Sequence, residues 1–243
     1  SAILLVVLLG VWQFFAGNTK FNFLFGSPSS VFSKLVENTL SGVLPYNFLI
    51  TGLEALLGFI IGIIFGTLAG FLLWYSPTVA RIAKPYIVFL GAIPVFAFAP
   101  MIIIWFGIGF GMKVALAALA VFLVALSQAY EGAKSIDEEE YKLLKTYGAT
   151  RLQMFQKVIF PASLSWVLAS MKLNIGFAIL GAYVGEFISS NAGLGYFMIK
   201  AGALYDIAGV LAGGLYLILL SIIFSVLVRI VEKSRMKIIA WFS

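Results

Sequence analysis

Six long stretches of this sequence contain no Asp, Glu, Lys or Arg. Most of them reach or approach the roughly 20 apolar residues that a helix needs to cross a bilayer. Hydrophobic residues make up 62% of the chain, charged residues make up 11%, and the mean hydropathy is +1.08. Lipid is therefore expected to surround most of the surface. The stretches lack the alternation of polar and apolar residues that barrel strands show, so an all-α membrane protein with six transmembrane helices is predicted. The uncharged stretches are residues 1–19, 55–75, 85–112, 114–130, 173–185, which can be extended backward past Lys172 to Pro161, and 207–228.

The N-terminal part combines one apolar stretch with one amphipathic segment. Residues 1–17 have no preceding basic segment and no small-residue cleavage motif, so a membrane span is predicted instead of a removable signal peptide. Ser27 is suited to an N-cap and Pro28 to a first helical turn, and apolar residues recur at helical spacing after them. We therefore assign 1–46 to a first transmembrane helix plus an amphipathic helix on the external surface.

Basic residues concentrate in alternate connections between the predicted spans. Eleven of the 16 Lys and Arg residues fall on one side of the membrane if six spans alternate, and four fall on the other. The positive-inside rule places both termini in the cytoplasm, and it accounts for the net charge of +6 without a nucleic-acid partner. The eleven are Arg81, Lys84, Lys134, Lys142, Lys145, Arg151, Lys157, Arg229, Lys233, Arg235 and Lys237, and the four are Lys20, Lys34, Lys113 and Lys200.

The sequence lacks the residue types that several kinds of chemistry require. There is no Cys and no His, so thiol nucleophiles, imidazole bases and His-ligated zinc are excluded, and no metal site is predicted. No phosphate-binding loop of the G-x4-G-K-[ST] type is present, so the chain is not expected to bind ATP by that route. We expect no catalytic residue and no cofactor on this chain.

Four glycines recur at every fourth position of the second span. Such residues lie along one helical face and let another backbone approach closely. A helix-packing face is predicted, and a gate that needs helix sliding is the alternative. The four are Gly58, Gly62, Gly66 and Gly70.

The segment 131–161 is the longest of the basic connections. Ser135 and Glu138 have the spacing of a capping box, and so do Thr150 and Gln153, which predicts two short helices. Gly148 separates them and is suited to a bend, and the second helix is expected to end before Pro161. Both helices would carry apolar faces, and the bundle itself, the lipid interface or a partner protein could cover them.

A few residues inside or near the spans could line a pathway for solute. Lys172 lies within the fifth span, where it could line a cavity or extend its long stem to the interface. Glu186, like Glu54, is expected near the external boundary as a hydrated carboxylate. Two prolines interrupt the third span and would free backbone carbonyls for a cavity. The candidate pathway residues are Pro94, Phe96, Pro100, Lys172 and Glu186.

Five motifs, in order, resemble those of permease subunits of binding-protein-dependent type I ABC importers, in the sulfonate, taurine and nitrate branch. One is Gly148 followed after nine residues by the segment Val-Ile-Phe-Pro at 158–161. In the family, the three residues at Lys142-Leu143-Leu144 are typically Glu-Ala-Ala, and this chain departs from that pattern. The other four motifs are Gly-Ser-Pro-Ser-Ser-Val at 26–31, Ile93-Pro94 with Pro100, Trp-Phe-Gly-Ile-Gly at 105–109, and Gly-Leu-Gly-Tyr at 193–196.

The resemblance implies a type I ABC importer permease fold with a transmembrane domain at 47–235 and a cytoplasmic tail at 236–243. It also implies a homodimer in the bacterial inner membrane, with two cytoplasmic ATPase subunits that hold ATP and Mg and an external solute-binding protein. The implied solute is a small anion such as a sulfonate, taurine, nitrate or bicarbonate, with an aromatic vitamin precursor as the alternative. The loop 131–161 would form the coupling helix, and its ATPase-coupling residues would be Leu143, Leu144, Tyr147, Gly148, Ala149, Thr150, Leu152, Phe155 and Pro161.

Two other functions compete with this hypothesis. A self-sufficient secondary transporter or channel should have inverted repeats and several ionisable residues at mid-bilayer, and only Lys172 has that position in the sequence. A membrane enzyme would need a catalytic group, and the absence of His, Cys and paired acidic residues within a span leaves none.

Overall fold

The structure is a computed structural model that describes residues 2–17, 25–92, 94–189 and 191–242. All regular secondary structure in these residues is helical, which confirms the predicted all-α class. A 3-10 turn at Val95–Phe98 and a π-helical turn at Phe155–Ile159 interrupt the α-helices. The α-helices are α1 (Ala2–Gly17), α2 (Pro28–Leu40), α3 (Val43–Tyr75), α4 (Pro77–Ala92), α5 (Ala99–Phe106), α6 (Phe110–Lys134), α7 (Glu138–Thr146), α8 (Arg151–Met154), α9 (Phe160–Ile188), α10 (Leu194–Ala203) and α11 (Ile207–Phe242).

Four helices in the described residues are long and apolar enough to cross a membrane. They are Val43–Tyr75, Phe110–Lys134, the continuous stretch Arg151–Ile188, and Ile207–Lys233. The apolar segments Val6–Ala16 and Val95–Phe106 are shorter than a full span. The chain is therefore a multi-pass membrane protein, and the total of six spans stays a prediction.

The third predicted span, residues 85–112, is interrupted at Pro94, as the sequence predicts. Pro94 has no N–H group and stands before the 3-10 turn, so the helical hydrogen bonds of α4 do not continue into α5. Pro100 lies in the first turn of α5, where a missing N–H costs nothing, so it begins a helix instead of interrupting one. Gly107, with a φ of +72°, ends α5, and Gly109, with a φ of +147°, stands directly before α6.

The chain divides into two compact units, one of residues 1–53 and 183–221 and one of residues 54–182 and 222–243. In the first unit, Ser27 caps α2 as predicted. Its hydroxyl accepts a hydrogen bond from the backbone N–H of Ser30, whose own hydroxyl accepts one from the N–H of Ser27. Buried apolar side chains from α3, α10 and α11 form the core of this unit, and Leu35 of α2 packs on them. They are Leu44, Leu194 and Ala212.

In the second unit, the predicted glycine stripe of α3 faces α6. A Cβ atom built on Gly62 would lie 2.6 Å from the Cβ of Val121, and one on Gly66 would lie 2.6 Å from the carbonyl oxygen of Phe122. At the two ends of the stripe, a Cβ atom built on Gly58 would lie 2.4 Å from the Cβ of Ala117, and one on Gly70 would lie 2.7 Å from the Cβ of Ala129. Real side chains do not approach this closely, so α3 and α6 can touch only because these positions have no Cβ.

Candidate functional site

The segment 131–161 begins differently from the prediction. Ser135 does not cap the next helix, because it has α-helical backbone angles and ends α6, where its hydroxyl donates to the carbonyl oxygen of Gly132 at 2.8 Å. Asp137 is the N-cap of α7, and its carboxylate accepts the backbone N–H of Glu139 at 3.2 Å. The predicted capping box at Ser135 is therefore wrong by two residues, and Asp, which caps helices as well as Ser does, takes its place.

The bend and the second capping box are found where the sequence predicts them. Gly148 has a φ of +78°, a backbone conformation that residues with a Cβ rarely adopt. Its N–H donates to the carbonyl oxygen of Lys145 at 3.0 Å, which closes the end of α7. Thr150 then caps α8: its N–H donates to Oε1 of Gln153 at 2.8 Å, and its hydroxyl accepts the N–H of Gln153 at 3.3 Å. The helix, bend, helix geometry follows from these local contacts.

The tip of this segment exposes apolar side chains. Tyr147 is 80% exposed, Leu143 is 56% exposed and Leu152 is 53% exposed. Leu144 and Ala149 are half-buried beside them, and the backbone at Gly148 and Thr150 is open. We define the coupling tip as residues 143–152. Its bend is fixed by hydrogen bonds within the segment, while its apolar surface faces outward.

The base of the segment, in contrast, is anchored in aromatic side chains. The ring of Phe155 lies 5.4 Å from that of Phe71, 5.8 Å from that of Trp74 and 6.1 Å from that of Phe160, measured between centroids. Met154 and Ile159 on the same turn are buried. The coupling tip therefore stands on a base that is packed firmly against the end of α3.

A stacked arginine adds to this base. The guanidinium of Arg151 lies 5.8 Å from the ring centroid of Trp74 and 5.5 Å from that of Tyr75. Such a cation over two aromatic faces is attracted electrostatically by both rings. Trp74 and Tyr75 were not among the predicted coupling residues, because the contact joins positions that are far apart in sequence. An aromatic pair at the end of a predicted span is the signal that the sequence offers.

Pro161 does not end the second helix, which corrects the prediction. The chain runs without a break from Arg151 to Ile188, and a π-helical turn at Phe155–Ile159 precedes Pro161. Proline has no N–H to donate to the carbonyl of the residue four positions earlier, and a wider turn accommodates this gap. As a result, the coupling tip connects to the fifth predicted span through continuous helix.

Two of the predicted pathway residues line one cavity. Pro94 and Phe96, at the break between α4 and α5, face a cavity of 440 Å³ together with side chains of α6 and Phe177 of α9. Pro100 is not among the residues that line it. The structure thus brings together only the first two of the five candidates.

Lys172 has a carboxylate partner. Its Nζ lies 2.8 Å from each carboxylate oxygen of Glu232 on α11, and its side chain is 52% exposed. The positive charge is therefore compensated within the chain. The sequence offered no signal for this pair, since 60 residues separate its members. A pathway role for Lys172 stays a prediction.

Glu186 and Glu54 are not hydrated boundary residues, contrary to expectation. Both are almost completely buried. The carboxylate of Glu54 accepts a hydrogen bond from Nζ of Lys113 at 2.8 Å, and Lys113, predicted in a connection, is itself buried. Because a charged group is costly to bury without a partner, these two residues stabilise each other inside the second unit.

Glu186 holds a loop in the first unit. Its two carboxylate oxygens accept hydrogen bonds from the hydroxyl of Thr51 and from the backbone N–H of Gly195, each at 2.6 Å. The Thr51 hydroxyl also accepts the N–H of Leu194 at 2.8 Å, and the side-chain oxygen of Asn47 accepts the N–H of Gly193 at 2.7 Å. We define these contacts as the carboxylate clamp. A pathway role for Glu186 stays a prediction.

Comparison with known proteins gives a consistent result. Residues 58–237 match the family model described as "Binding-protein-dependent transport system inner membrane component". A probable ABC transporter permease protein of Haemophilus influenzae is 33% identical over 217 residues, which cover 89% of this chain and 88% of that protein. The formylaminopyrimidine transport permease protein ThiX of Halalkalibacterium halodurans is 31% identical, covering 90% and 87%. The taurine transport system permease protein TauC of Escherichia coli is 31% identical, covering 86% and 78%.

The fold has solved counterparts. A structure of the MetNI methionine ABC transporter has a TM-score of 0.65 at 16% identity, covering 79% of this chain and 98% of that chain. A structure of an amino acid ABC transporter has a TM-score of 0.64 at 18% identity, covering 82% and 97%. At this identity the likeness concerns the fold alone, and it agrees with the type I importer permease fold that the sequence predicts.

Proposed function

Since the chain belongs to the binding-protein-dependent transport system inner membrane components, the permease subunits of ABC importers, we propose that its coupling tip docks on a cytoplasmic ATPase subunit. The observation that carries this proposal is the contrast within the segment 131–161. Tyr147, Leu143 and Leu152 expose apolar surface, although the turn that follows them packs against the end of α3. Exposed apolar groups on a firmly held bend are typical of a surface that a partner protein covers.

The contacts at the base of the segment can transmit a movement of the coupling tip to the membrane helices. A displacement of the coupling tip would reach α9 through continuous helix and α3 through the contact of Phe155 with Phe71 and Trp74. Packed aromatic rings do not deform gradually, so a push on the tip moves the helices as bodies. In this account ATP, with Mg, binds to the ATPase pair, the tips follow the ATPases, and the permease alternates between its inward-open and outward-open states.

The assembly that we propose contains two copies of this chain, two ATPase subunits and an external solute-binding protein. Two ATPases that act as a pair need two coupling tips related by a two-fold axis, which a homodimer provides. Both termini are then cytoplasmic, in agreement with the excess of Lys and Arg in the connections on that side. The bacterial inner membrane is the proposed location.

We propose that the solute is a small organic or inorganic molecule. A small anion is the expectation from sequence, and relatives that transport taurine and aliphatic sulfonates support it. Other relatives are named for formylaminopyrimidine and riboflavin, which are ring compounds. The relatives' names thus offer two solute classes, and only the chemistry of this chain's own cavity distinguishes them.

Copurification tests the proposed function. We expect the tagged chain, purified in mild detergent, to bring an ABC ATPase subunit with it and to show ATP hydrolysis only in that complex. A variant with Leu143, Tyr147 and Leu152 all changed to Ser should lose the ATPase subunit, because the apolar surface of the tip is removed. The matched control changes three exposed apolar residues elsewhere, Phe32, Leu40 and Leu204, to Ser. Hydrolysis by the chain alone, or equal loss of the ATPase in the control, would contradict the proposal.

A further inference from the structure

The cavity beside the break at Pro94 lies where a membrane helix gives up its regular hydrogen bonds. Irregular backbone within a membrane is tolerated where it is buried in protein or lines a polar cavity. The 440 Å³ cavity lies between the end of α4, the 3-10 turn, α6 and α9, within the second unit. Its size is in the range of cavities that hold small molecules. The position of the break therefore marks this cavity as a candidate solute site.

The lining combines flat aromatic surface with two uncharged polar groups. Phe96 and Phe177 supply rings, and Ser127 and Gln128, adjacent on α6, supply a hydroxyl and an amide. Both groups line the cavity, and neither makes a side-chain hydrogen bond to another of the described residues. An amide can donate and accept at once, which matches the alternating donors and acceptors on the edge of a nitrogen heterocycle.

The lining contains no Lys, Arg, Asp or Glu among the described residues. A small anion that leaves water for such a place loses its hydration without gaining a cation, which is costly. Lys172, one helix turn and a residue before Phe177 on α9, is the candidate cation, but Glu232 already holds it with both carboxylate oxygens at 2.8 Å. The electrostatics of the cavity thus disfavour a small anion.

We propose that this cavity contacts the transported solute and that the solute is an uncharged, planar nitrogen heterocycle. Phe96 and Phe177 would contact the faces or edges of the ring, and Ser127 and Gln128 would hydrogen-bond its polar edge. This inference rests on the proposed function as an importer permease. It replaces the small-anion expectation with a class of solute that the lining residues can recognise.

Cysteine protection measures occupancy of the cavity directly. The chain has no Cys, so Ser127→Cys places a single thiol in the cavity, and Ser165→Cys places a matched thiol on an exposed position of α9. The permease–ATPase complex in lipid nanodiscs is treated with N-ethylmaleimide, an uncharged reagent. Lumichrome and uracil are the uncharged ring probes, and ethanesulfonate and nitrate are the anionic probes.

We expect lumichrome or uracil at about ten times its Kd to slow labelling of the Ser127→Cys thiol about tenfold, and to leave the Ser165→Cys thiol unaffected. Ethanesulfonate and nitrate should protect neither thiol. Protection by an anion, or the absence of protection by both ring probes, would overturn the proposal. ATP hydrolysis by the same preparation distinguishes a wrong solute site from a wrong assignment as an importer permease. If the complex assembles and hydrolyses ATP, only the solute site is wrong, and if no ATPase associates, the proposed function fails and the inference fails with it.

Substitutions of the lining sharpen the result. Phe177→Ala and Gln128→Leu, each combined with Ser127→Cys, should weaken ring-probe binding about threefold to tenfold, through loss of the aromatic contact or of the amide. Phe89→Ala is the matched control, because Phe89 is an exposed aromatic residue of α4 outside the lining. Equal protection in all three variants would show that the probe does not occupy this cavity.

Discussion

Two loops of this protein are held in opposite ways. The loop that leads into α10 is fixed from inside, where the carboxylate of Glu186 and the side chains of Thr51 and Asn47 accept the N–H groups of three successive loop residues, 193–195. Glu186 and Thr51 are almost completely buried. Among the described residues, the coupling tip, residues 143–152, is held through contacts within its own segment and at its base, and Tyr147 is 80% exposed. Neither loop is a simple connection.

The first loop satisfies its backbone N–H groups with buried side chains of this chain, whereas the coupling tip leaves apolar side chains uncovered. Buried hydrogen bonds to a carboxylate are short and strong, so the clamped loop should open only when a large part of its unit opens. The coupling tip keeps its backbone geometry but leaves apolar surface in water, which costs free energy until a partner covers it. Disturbing the first loop should therefore damage folding, and disturbing the second should damage communication with the ATPase.

The largest effect is expected from Glu186→Ala. This change leaves the buried N–H of Gly195 without its acceptor, at about 1–3 kcal/mol, and it leaves the Thr51 hydroxyl with only the carbonyl oxygen of Asn47, 3.1 Å away. We expect the unfolding temperature of the purified chain to fall steeply and the yield of folded protein to drop. Phe187→Ala, at the exposed neighbouring position, is the matched control and should be nearly neutral. If both variants unfold at the wild-type temperature, the clamp does not stabilise the loop.

An intermediate effect is expected from Gly148→Val. A β-branched residue disfavours the φ of +78° by roughly 1–2 kcal/mol, so the bend should open and the tip should lose its shape. ATP hydrolysis by the permease–ATPase complex should fall about tenfold, which corresponds to about 1.4 kcal/mol, while the unfolding temperature of the purified chain stays unchanged.

The control for this variant is a glycine without such a requirement. Gly176 lies within α9, and a Cβ built on it meets nothing within 4 Å, so Gly176→Ala should leave hydrolysis and stability intact. A normal rate of hydrolysis in Gly148→Val would show that the bend is not needed for coupling. A lowered unfolding temperature in that variant would contradict the separation of the two loops.

The smallest effect is expected from Lys172→Met. If the solute is an uncharged ring, the protection of the Ser127→Cys thiol by lumichrome should be the same with and without Lys172. Glu232→Gln is added in a double variant, so that no carboxylate is left without its cation. A marked loss of protection in the double variant, with normal assembly, would restore Lys172 to the solute pathway and favour an anionic solute.

Local patterns in the sequence were sufficient for much of the fold. The caps at Ser27 and Thr150 each depend on a residue three positions away, and the bend at Gly148 depends on the glycine itself. Such features are encoded within a few residues, so the sequence predicts them directly. Ser135 and Asp137 are two positions apart and both could cap α7; the sequence pattern predicted Ser135, but Asp137 is the cap.

Features that depend on distant residues could not be predicted in this way. Glu186 and Thr51 are 135 positions apart, and a carboxylate near the end of a span has the same sequence signature whether water or a hydroxyl donates hydrogen bonds to it. The contact between Phe155 and Trp74 likewise joins residues that are far apart in the sequence, and so does the pairing of Lys172 with Glu232. The two prolines of the apolar stretch 85–112 have the same local signature, and only the structure shows that Pro94 interrupts the helix whereas Pro100 lies in the first turn of α5.

Crosslinking tests directly whether the coupling tip contacts an ATPase subunit. The chain has no Cys, so Tyr147→Cys and Ala149→Cys each introduce one thiol on either side of the bend, and Ser165→Cys supplies an exposed thiol away from it. The intact permease–ATPase complex is treated with a short thiol-to-amine crosslinker. We predict a permease–ATPase product from the first two variants and none from the third. If the complex is intact and neither tip variant crosslinks to the ATPase, the coupling role is wrong.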